Sequence, residues 1–168
     1  HETLSPDGKP VLWCGTYGGG LLRFENGVWT PVVVGPVLGP EAVVLCMLET
    51  KAADGSPELW FGTRESGLAR FHQGTWTAFT KATGFPSDRI ESLAATSTPD
   101  GGMQIWAGSY DGLIGMQSSR SSPQPFTWKL FDQASGLPST HVSSLETSKG
   151  FPGVLLWVGT EGGLAVVQ

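Results

Sequence analysis

The stretch Leu59-Trp60-Phe61-Gly62-Thr63, followed by Gly67-Leu68, decides the fold because its pattern occurs four times in 168 residues. The four tryptophans of the pattern are separated by 47, 46 and 51 residues. A period in the forties with strand-like segments is typical of propeller blades of four strands each, and the third repeat is longer because a polar insertion, Ser118–Pro125, replaces a hairpin. Leucine-rich repeats are shorter, and tetratricopeptide or ankyrin repeats need helical periodicity. The other copies are Leu12-Trp13-Cys14-Gly15-Thr16 with Gly20-Leu21, Ile105-Trp106-Ala107-Gly108-Ser109 with Gly112-Leu113, and Leu156-Trp157-Val158-Gly159-Thr160 with Gly163-Leu164.

Each repeat has room for four strands, of which this pattern forms the second and the start of the third. A first strand follows a Gly-x-Pro-Ser signal, as in Ile90–Ala95 after Gly84-Phe85-Pro86-Ser87. Three Asp-Gly pairs predict turns between the first and second strands, since they tolerate positive φ: Asp7-Gly8, Asp54-Gly55 and Asp100-Gly101. Asn26-Gly27 and Gln73-Gly74 predict tight hairpins before the fourth strand. That fourth strand carries Trp29-Thr30, Trp76-Thr77 or Trp128-Lys129.

We therefore predict an all-β chain, a β-propeller made of four-stranded antiparallel blades, with about four end-truncated blades. The approximate repeats are 1–39, 40–85, 86–137 and 138–168. Glu2-Thr3 aligns with Glu49-Thr50, so most of the first strand should be missing, and Gln168 should close the third strand of the last repeat. The expected strand count is three, four, four and three.

An open arc of blades exposes apolar faces and unpaired strand edges. We therefore expect further blades to complete it, from more of the natural chain or from other copies. The isolated chain should then be a homo-oligomer, for example two copies in a ring of about eight blades.

Composition excludes several classes of protein. The formal net charge is -5 and the isoelectric point is near 5.1, which with no basic stripe argues against nucleic acid as a partner. The longest apolar run, Ala42–Leu48, is too short to span a bilayer, and the N-terminus shows no signal-peptide pattern. Two cysteines are not a disulfide framework, so we expect Cys14 and Cys46 to be buried free thiols rather than a disulfide.

The other conspicuous residues favour structural roles. The repeat tryptophans could stack on sugar rings, but their strict recurrence favours core packing. The glycine of Trp-x-Gly-Thr indicates close approach of strands or relief of backbone strain. Gly18-Gly19-Gly20 lacks the Lys-Ser/Thr of a phosphate loop, and His1, His72 and His141 share no metal-ligand spacing. We predict no catalytic residue, no metal site and no cofactor.

The residues that differ between repeats are the candidates for a ligand site. In a four-stranded blade, the loops between second and third strands and the segments joining blades emerge on one face, around the central channel. We therefore predict a ligand site at the channel mouth, which could instead be an ordinary solvated loop rim. Its candidate residues are Tyr17, Arg64, Glu65, Asp88, Arg89, Tyr110, Asp111, His141 and Glu161.

The repeat resembles that of the two-component regulator propeller family. The family pattern, Gly-Leu-Pro-Ser, then Leu-Trp-x-Gly-Thr, then Gly-Leu, is carried here by Gly136-Leu137-Pro138-Ser139, Leu156–Thr160 and Gly163-Leu164. The first copy departs from it with Val37-Leu38-Gly39-Pro40, and the third with Gly115-Met116 where the family prefers Arg-Phe. The resemblance covers essentially the whole chain and implies a periplasmic or extracellular sensing region that responds to carbohydrates.

Three functions follow as hypotheses. The first is a non-enzymatic sensor module that binds a small molecule, such as a glycan fragment, over the channel mouth. The second is a structural or protein-interaction propeller that completes its ring by self-assembly. The third, a lyase or glycosidase, would need a pair of catalytic groups near the channel, for which Glu65, Asp111 and Glu161 are the candidates.

Overall fold

The computed structural model describes residues 1–5, 7–34, 38–39, 41–52, 54–98, 102–118, 126–149 and 153–167. Within them the chain is all-β, with four antiparallel sheets that follow one another in sequence. Sheet 1 contains β1 (Glu2–Leu4), β2 (Pro10–Gly15), β3 (Leu21–Glu25) and β4 (Val28–Val32). Sheet 2 contains β5 (Val44–Lys51), β6 (Pro57–Thr63), β7 (Leu68–His72) and β8 (Thr75–Phe79).

Sheets 3 and 4 repeat this order. Sheet 3 contains β9 (Ile90–Ser97), β10 (Met103–Ser109), β11 (Leu113–Ser118) and β12 (Phe126–Phe131). Sheet 4 contains β13 (Val142–Lys149), β14 (Val154–Thr160) and β15 (Gly163–Val167). Single-turn 3-10 helices, Lys81–Thr83 and Gln133–Ser135, follow β8 and β12, and each ends at a glycine with positive φ, Gly84 or Gly136.

The predicted succession of strands is confirmed where the structure describes it, with one correction. The expected count of three strands in sheet 1 was wrong. The first strand, β1, is short but pairs with β2, so that Glu2 lies opposite Leu12 and Leu4 lies opposite Pro10. Sheet 4 has three strands among the described residues. Gln168, the Asp100-Gly101 turn and most of the polar insertion after Ser118 lie outside the described residues.

The predicted hairpin turns have the backbone that they require. Asn26 and Gly27 have φ of 51° and 83°, and Gln73 and Gly74 have φ of 48° and 79°. Two successive residues with positive φ match the twist of the strands that they join. Asn and Gly adopt positive φ readily, whereas for a side chain such as that of Gln73 this conformation is energetically less favourable.

Consecutive sheets pack face to face through three apolar clusters. The first joins Trp13 and Leu21 of sheet 1 to Phe61 of sheet 2. The second joins Trp60 and Leu68 of sheet 2 to sheet 3, and the third joins Trp106 and Leu113 of sheet 3 to sheet 4. The first strands also lie side by side, since β9 contacts both β5 and β13. Repeated antiparallel sheets stacked in this way fit a propeller-like fold.

The glycine of Trp-x-Gly-Thr is required by this stacking. A Cβ built on Gly62 would lie 2.7 Å from Ile90 Cγ2, and one on Gly108 would lie 2.8 Å from Val142 Cγ1. Gly15 meets Val44 in the same way. Each contacted residue belongs to the first strand of the following sheet, so the predicted close approach of strands is confirmed.

The repeat tryptophans are core residues where a following sheet covers them. Trp13, Trp60 and Trp106 are 7%, 1% and 6% exposed. Their indole N–H groups donate to threonine hydroxyls of the adjacent first strand at 2.9–3.0 Å, which satisfies the polar atom that burial would otherwise penalise. Trp157 keeps this bond, to Ser148 at 2.8 Å, but is only half-buried.

Both cysteines are free thiols, as predicted, but the expectation that they are buried was wrong, since both are half-buried. Their surroundings differ. Desolvation raises the pKa of the Cys46 thiol to about 12, whereas Cys14 lies on the face of sheet 1 that points away from sheet 2.

Candidate functional site

The variable residues lie at one edge of the four sheets, which we call the rim. It consists of the turns 16–20, 63–67, 109–112 and 160–163 together with the residues just before β5, β9 and β13. A repeated backbone hydrogen bond joins the two parts. The N–H groups of Arg64, Tyr110 and Glu161 donate at 3.0, 3.4 and 3.3 Å to the carbonyls of the residues just before β5, β9 and β13, respectively Val43, Arg89 and His141.

Tyr17 and Arg64 meet across the rim ends of sheets 1 and 2. The Arg64 guanidinium lies 5.5 Å from the centre of the Tyr17 ring and donates to its hydroxyl. Tyr17 is nevertheless 79% exposed. The arginine already positions this exposed ring, so a ligand that packs on its flat face would cost little side-chain entropy.

A second group, the His141 cluster, joins sheets 3 and 4 and consists of Arg89, Glu91, Tyr110, His141 and Glu161. The His141 Nε2 lies 2.7 Å from Glu91 Oε2. The ionised carboxylate can only accept, so Nε2 carries the proton. The other ring nitrogen, Nδ1, lies 2.8 Å from Glu161 Oε1. It satisfies no hydrogen-bond geometry, so this contact is an ion pair.

The two central groups of the cluster hold each other in their charged forms. The hydrogen bond to Glu91 raises the pKa of His141, although burial acts in the opposite direction, and Glu161 adds to the rise. Burial alone would raise the pKa of Glu91, but hydrogen bonds from His141 and Arg89 outweigh it and lower that pKa. Their side chains are 17% and 14% exposed, so solvent screens the pair only partly.

Tyr110 covers this pair on the solvent side. Its ring centre lies 4.9 Å from that of His141 and 5.6 Å from the guanidinium of Arg89, whose Nε lies 2.6 Å from Glu91 Oε1. Tyr110 is 56% exposed. The rim thus presents two exposed tyrosine rings, each against an arginine.

The remaining three predicted residues have other contacts. Asp88 accepts from the Lys81 N–H at 2.7 Å and anchors the 3-10 turn. Asp111 accepts from the buried Ser87 hydroxyl at 2.7 Å and lies 3.0 Å from Lys81 Nζ. Burial raises its pKa, but these two partners outweigh that and lower it. The Glu65 side chain is 85% exposed, with Arg64 Nε 3.9 Å away.

Sequence reasoning missed Glu91. The residue lies in β9, directly after buried Ile90, and the corresponding positions of sheets 2 and 4 hold Leu45 and Ser143. The signal was present, since a carboxylate inside a first strand differs from both other copies.

Sequence reasoning also missed a contact between Ser56 and His72. The Ser56 Oγ lies 2.7 Å from His72 Nε2, and the same hydroxyl donates to Asp54 Oδ1 at 2.5 Å. In a catalytic triad the carboxylate holds the other histidine nitrogen. Here the Asp54 carboxylate accepts from the Ser56 hydroxyl instead, and this hydrogen bond spans the Asp54-Gly55 turn.

A cleft of about 390 Å³ lies away from the rim, between β1 of sheet 1 and the end of β5 in sheet 2. Its lining includes Glu2, Glu49 and Lys51. It contains none of the nine predicted residues. Among the described residues, no group of three His, Cys, Asp or Glu side chains is arranged to hold a metal ion. The described part of the chain also contains no helix with the length and apolarity needed to cross a membrane.

No family model matches the chain, and no curated protein matches it.

Proposed function

We propose that the chain is part of a β-propeller of the sensor type and that it binds a small polar ligand, such as a glycan fragment, on the rim without catalysing a reaction. The observation that carries this proposal is the pair of exposed tyrosines, Tyr17 and Tyr110, each positioned by an arginine. The face of an aromatic ring suits the C–H surface of a sugar. The arginines and the Glu161 carboxylate add donors and an acceptor for hydroxyl groups.

The contacts of the His141 cluster favour binding over acid–base chemistry. Both ring nitrogens of His141 lie within 3 Å of a carboxylate oxygen, so neither is open to a ligand. A general acid or base must reach the proton that it transfers. Asp111, one of the three carboxylates predicted as candidates for catalysis, is held by Ser87 and Lys81. A periplasmic or extracellular location belongs to the same proposal and rests on the resemblance of the repeat.

The experiment is a thermal-shift screen of the chain against soluble oligosaccharides, neutral and acidic. A ligand that binds the folded state raises the melting temperature with concentration. The double variant Tyr17→Ala/Tyr110→Ala should lose that shift, and Tyr17→Phe/Tyr110→Phe should keep most of it because the ring faces remain. Trp29→Ala, which removes an exposed aromatic ring 48% accessible to solvent but away from the rim, is the matched control. A shift that persists in the double alanine variant would contradict this placement of the site.

A second candidate function is a structural propeller unit that completes its ring with further blades. It is favoured by the exposure of apolar residues on the outer faces of sheets 1 and 4, among them Leu12 and Leu164. The two functions differ in what they require. Ligand binding depends on the rim tyrosines, and ring completion depends on the outer faces.

A further inference from the structure

Among the described residues, no sheet packs on the two outer faces of the stack, whereas the equivalent faces inside the stack are buried. We call the face of sheet 1 that points away from sheet 2 the leading face. We call the face of sheet 4 that points away from sheet 3 the trailing face. The leading face carries Leu12, Cys14, Leu22, Phe24 and Trp29, and the trailing face carries Trp157, Leu164 and Val166.

The trailing face is built to pack on a following sheet. In each sheet the leucine of Gly-Leu lies opposite the glycine of Trp-x-Gly-Thr, as Leu68 lies opposite Gly62. Leu21, Leu68 and Leu113 are 2%, 0% and 0% exposed under the next sheet, whereas Leu164 is 63% exposed. The same sequence position is therefore buried three times and open once.

The leading face is built to receive a preceding sheet. Leu59, Ile105 and Leu156 occupy one position of the second strand and are 7%, 4% and 1% exposed under the sheet before them. Leu12 occupies that position in sheet 1 and is 41% exposed. An apolar face of this kind is a site of association when it is contiguous.

The packing of sheet 1 on sheet 2 shows how the two faces fit. Trp13 lies 5.9 Å from Phe61 and 6.3 Å from Phe71, measured between ring centres. The residue equivalent to Trp13 on the trailing face is Trp157. The residues equivalent to Phe61 and Phe71 on the leading face are Cys14 and Phe24.

The summed side-chain volume at two of these positions is similar on the two leading-type faces. Cys14 is smaller than Phe61, but Leu22 is larger than its counterpart Ala69, which lies opposite Phe61 in the same pair of strands. Exchanges that keep the total apolar volume are the ones that packed interfaces tolerate best.

We propose that the trailing face of one copy of this chain packs on the leading face of a second copy, in the geometry by which sheet 1 packs on sheet 2. The occupant is a second copy because one chain carries both halves of the joint and keeps them apart at the two ends of its stack. The interface is heterologous, since all three internal joints pair a trailing-type face with a leading-type face. It does not depend on ligand binding at the rim.

The experiment measures the native mass of the chain and of two single-face variants across a concentration series. Leu164→Glu places a charge on the trailing face, and Leu12→Glu places one on the leading face, with Trp29→Glu as a second leading-face variant. Leu45→Glu is the matched control, because Leu45 is 41% exposed in β5 and the equivalent position of sheet 3 already holds a glutamate, Glu91. Circular dichroism and thermal melting confirm that each variant folds.

The unmodified chain and Leu45→Glu should assemble, and each face variant alone should be monomeric, since every joint then contains one charged face. Mixing Leu164→Glu with Leu12→Glu restores one intact joint and should give a 1:1 dimer of twice the 17.8 kDa chain mass. An isologous interface would instead leave one face variant assembled by itself, with no rescue on mixing. That result, or a monomer at every concentration of the unmodified chain, overturns the proposal. Ligand binding by a monomeric chain would show that the rim function stands without it.

Discussion

His141 Nε2 lies 2.7 Å from Glu91 Oε2, so a side chain from the segment before β13 contacts the first strand of the neighbouring sheet. The contact crosses the joint between sheets 3 and 4 at the rim. Tyr17 and Arg64 cross the joint between sheets 1 and 2 in a similar place. The rim residues therefore connect sheets and also form the candidate site.

The first prediction concerns pH. Because the pKa of His141 is raised above 6.5, its contribution to stability is complete below that value and is lost as pH rises through the folded-state pKa. Because the pKa of Glu91 is lowered below 4.5, its contribution is present above that value and is lost as pH falls through the folded-state pKa. The His141–Glu91 pair should therefore stabilise the folded state most between pH 4.5 and pH 6.5.

We expect His141→Gln, which keeps an amide donor but removes the charge, to lower the free energy of unfolding by about 1–3 kcal/mol near pH 5.5. The loss should be smaller at a second, alkaline pH, because the wild-type imidazole loses its charge as pH rises through its raised pKa. Urea unfolding at the two pH values measures it. As a reciprocal check, Glu91→Gln should lower the His141 pKa in an NMR titration, and an unchanged titration would contradict the pairing.

The second prediction concerns the close approach of sheets. An alanine at position 108 would place Cβ 2.3 Å from Ser92 Oγ and 3.0 Å from the Val142 carbonyl oxygen. We expect Gly108→Ala to cost roughly 1–3 kcal/mol of unfolding free energy, since the first strand of sheet 4 would have to move. Gly153→Ala is the control, with no atom within 4 Å of the new Cβ, and should change stability by less than about 0.5 kcal/mol. Equal effects of the two substitutions would show that the contact is unimportant.

The third prediction compares one repeat position in two sheets. Leu68 is fully buried and Leu164 is 63% exposed. Leu68→Ala should cost about 2–5 kcal/mol because it leaves a cavity. Leu164→Ala should cost less than about 0.5 kcal/mol when measured at concentrations where the chain is monomeric. Chemical denaturation of both variants tests this directly, and a large effect of Leu164→Ala in the monomer would mean that the trailing face is already covered.

The scaffold was predictable because its constraints recur. The glycine of Trp-x-Gly-Thr, the leucine of Gly-Leu and the tryptophan that donates to a hydroxyl appear in each copy, so a single sequence supplies four observations of each. Positive φ at Asn26-Gly27 follows from the chemistry of those two residues. The short strand β1 was underestimated, because three residues carry too little pattern to distinguish a strand from a tail.

The site was less predictable for a physical reason. Loop position identified Tyr17, Arg64, Tyr110, His141 and Glu161 as residues of one edge, but contacts between sheets depend on how the sheets stack. Glu91 lies in a strand, and its pairing with His141 spans 50 residues. Asp88, which looked similar in sequence, instead holds the backbone of a 3-10 turn.

The fourth prediction separates binding from stability at the rim. Arg64 is an exposed partner of Tyr17 and Glu65, with a side chain 38% accessible. Exposed charged contacts contribute little, so Arg64→Ala should change the unfolding free energy by less than about 1 kcal/mol. If the rim binds a polar ligand, the same variant should weaken binding by about 10-fold or more, as loss of a charge-assisted hydrogen bond implies. Calorimetric titration alongside thermal melting distinguishes the two effects, and a variant that unfolds would show that Arg64 is structural.

The fifth prediction concerns the two thiols. The Cys46 sulfur lies 3.8 Å from the Ile90 carbonyl oxygen across the joint between sheets 2 and 3, and burial raises its pKa to about 12. Since the thiolate is the reactive form, iodoacetamide near pH 8 should modify Cys46 at least about 10-fold more slowly than Cys14 in the folded chain. The Leu164→Glu variant is the material of choice, because assembly would cover Cys14 on the leading face. In denaturant the two rates should become equal, and mass spectrometry of the peptides measures both. Fast modification of Cys46 in the folded variant would mean that the joint between sheets 2 and 3 opens readily.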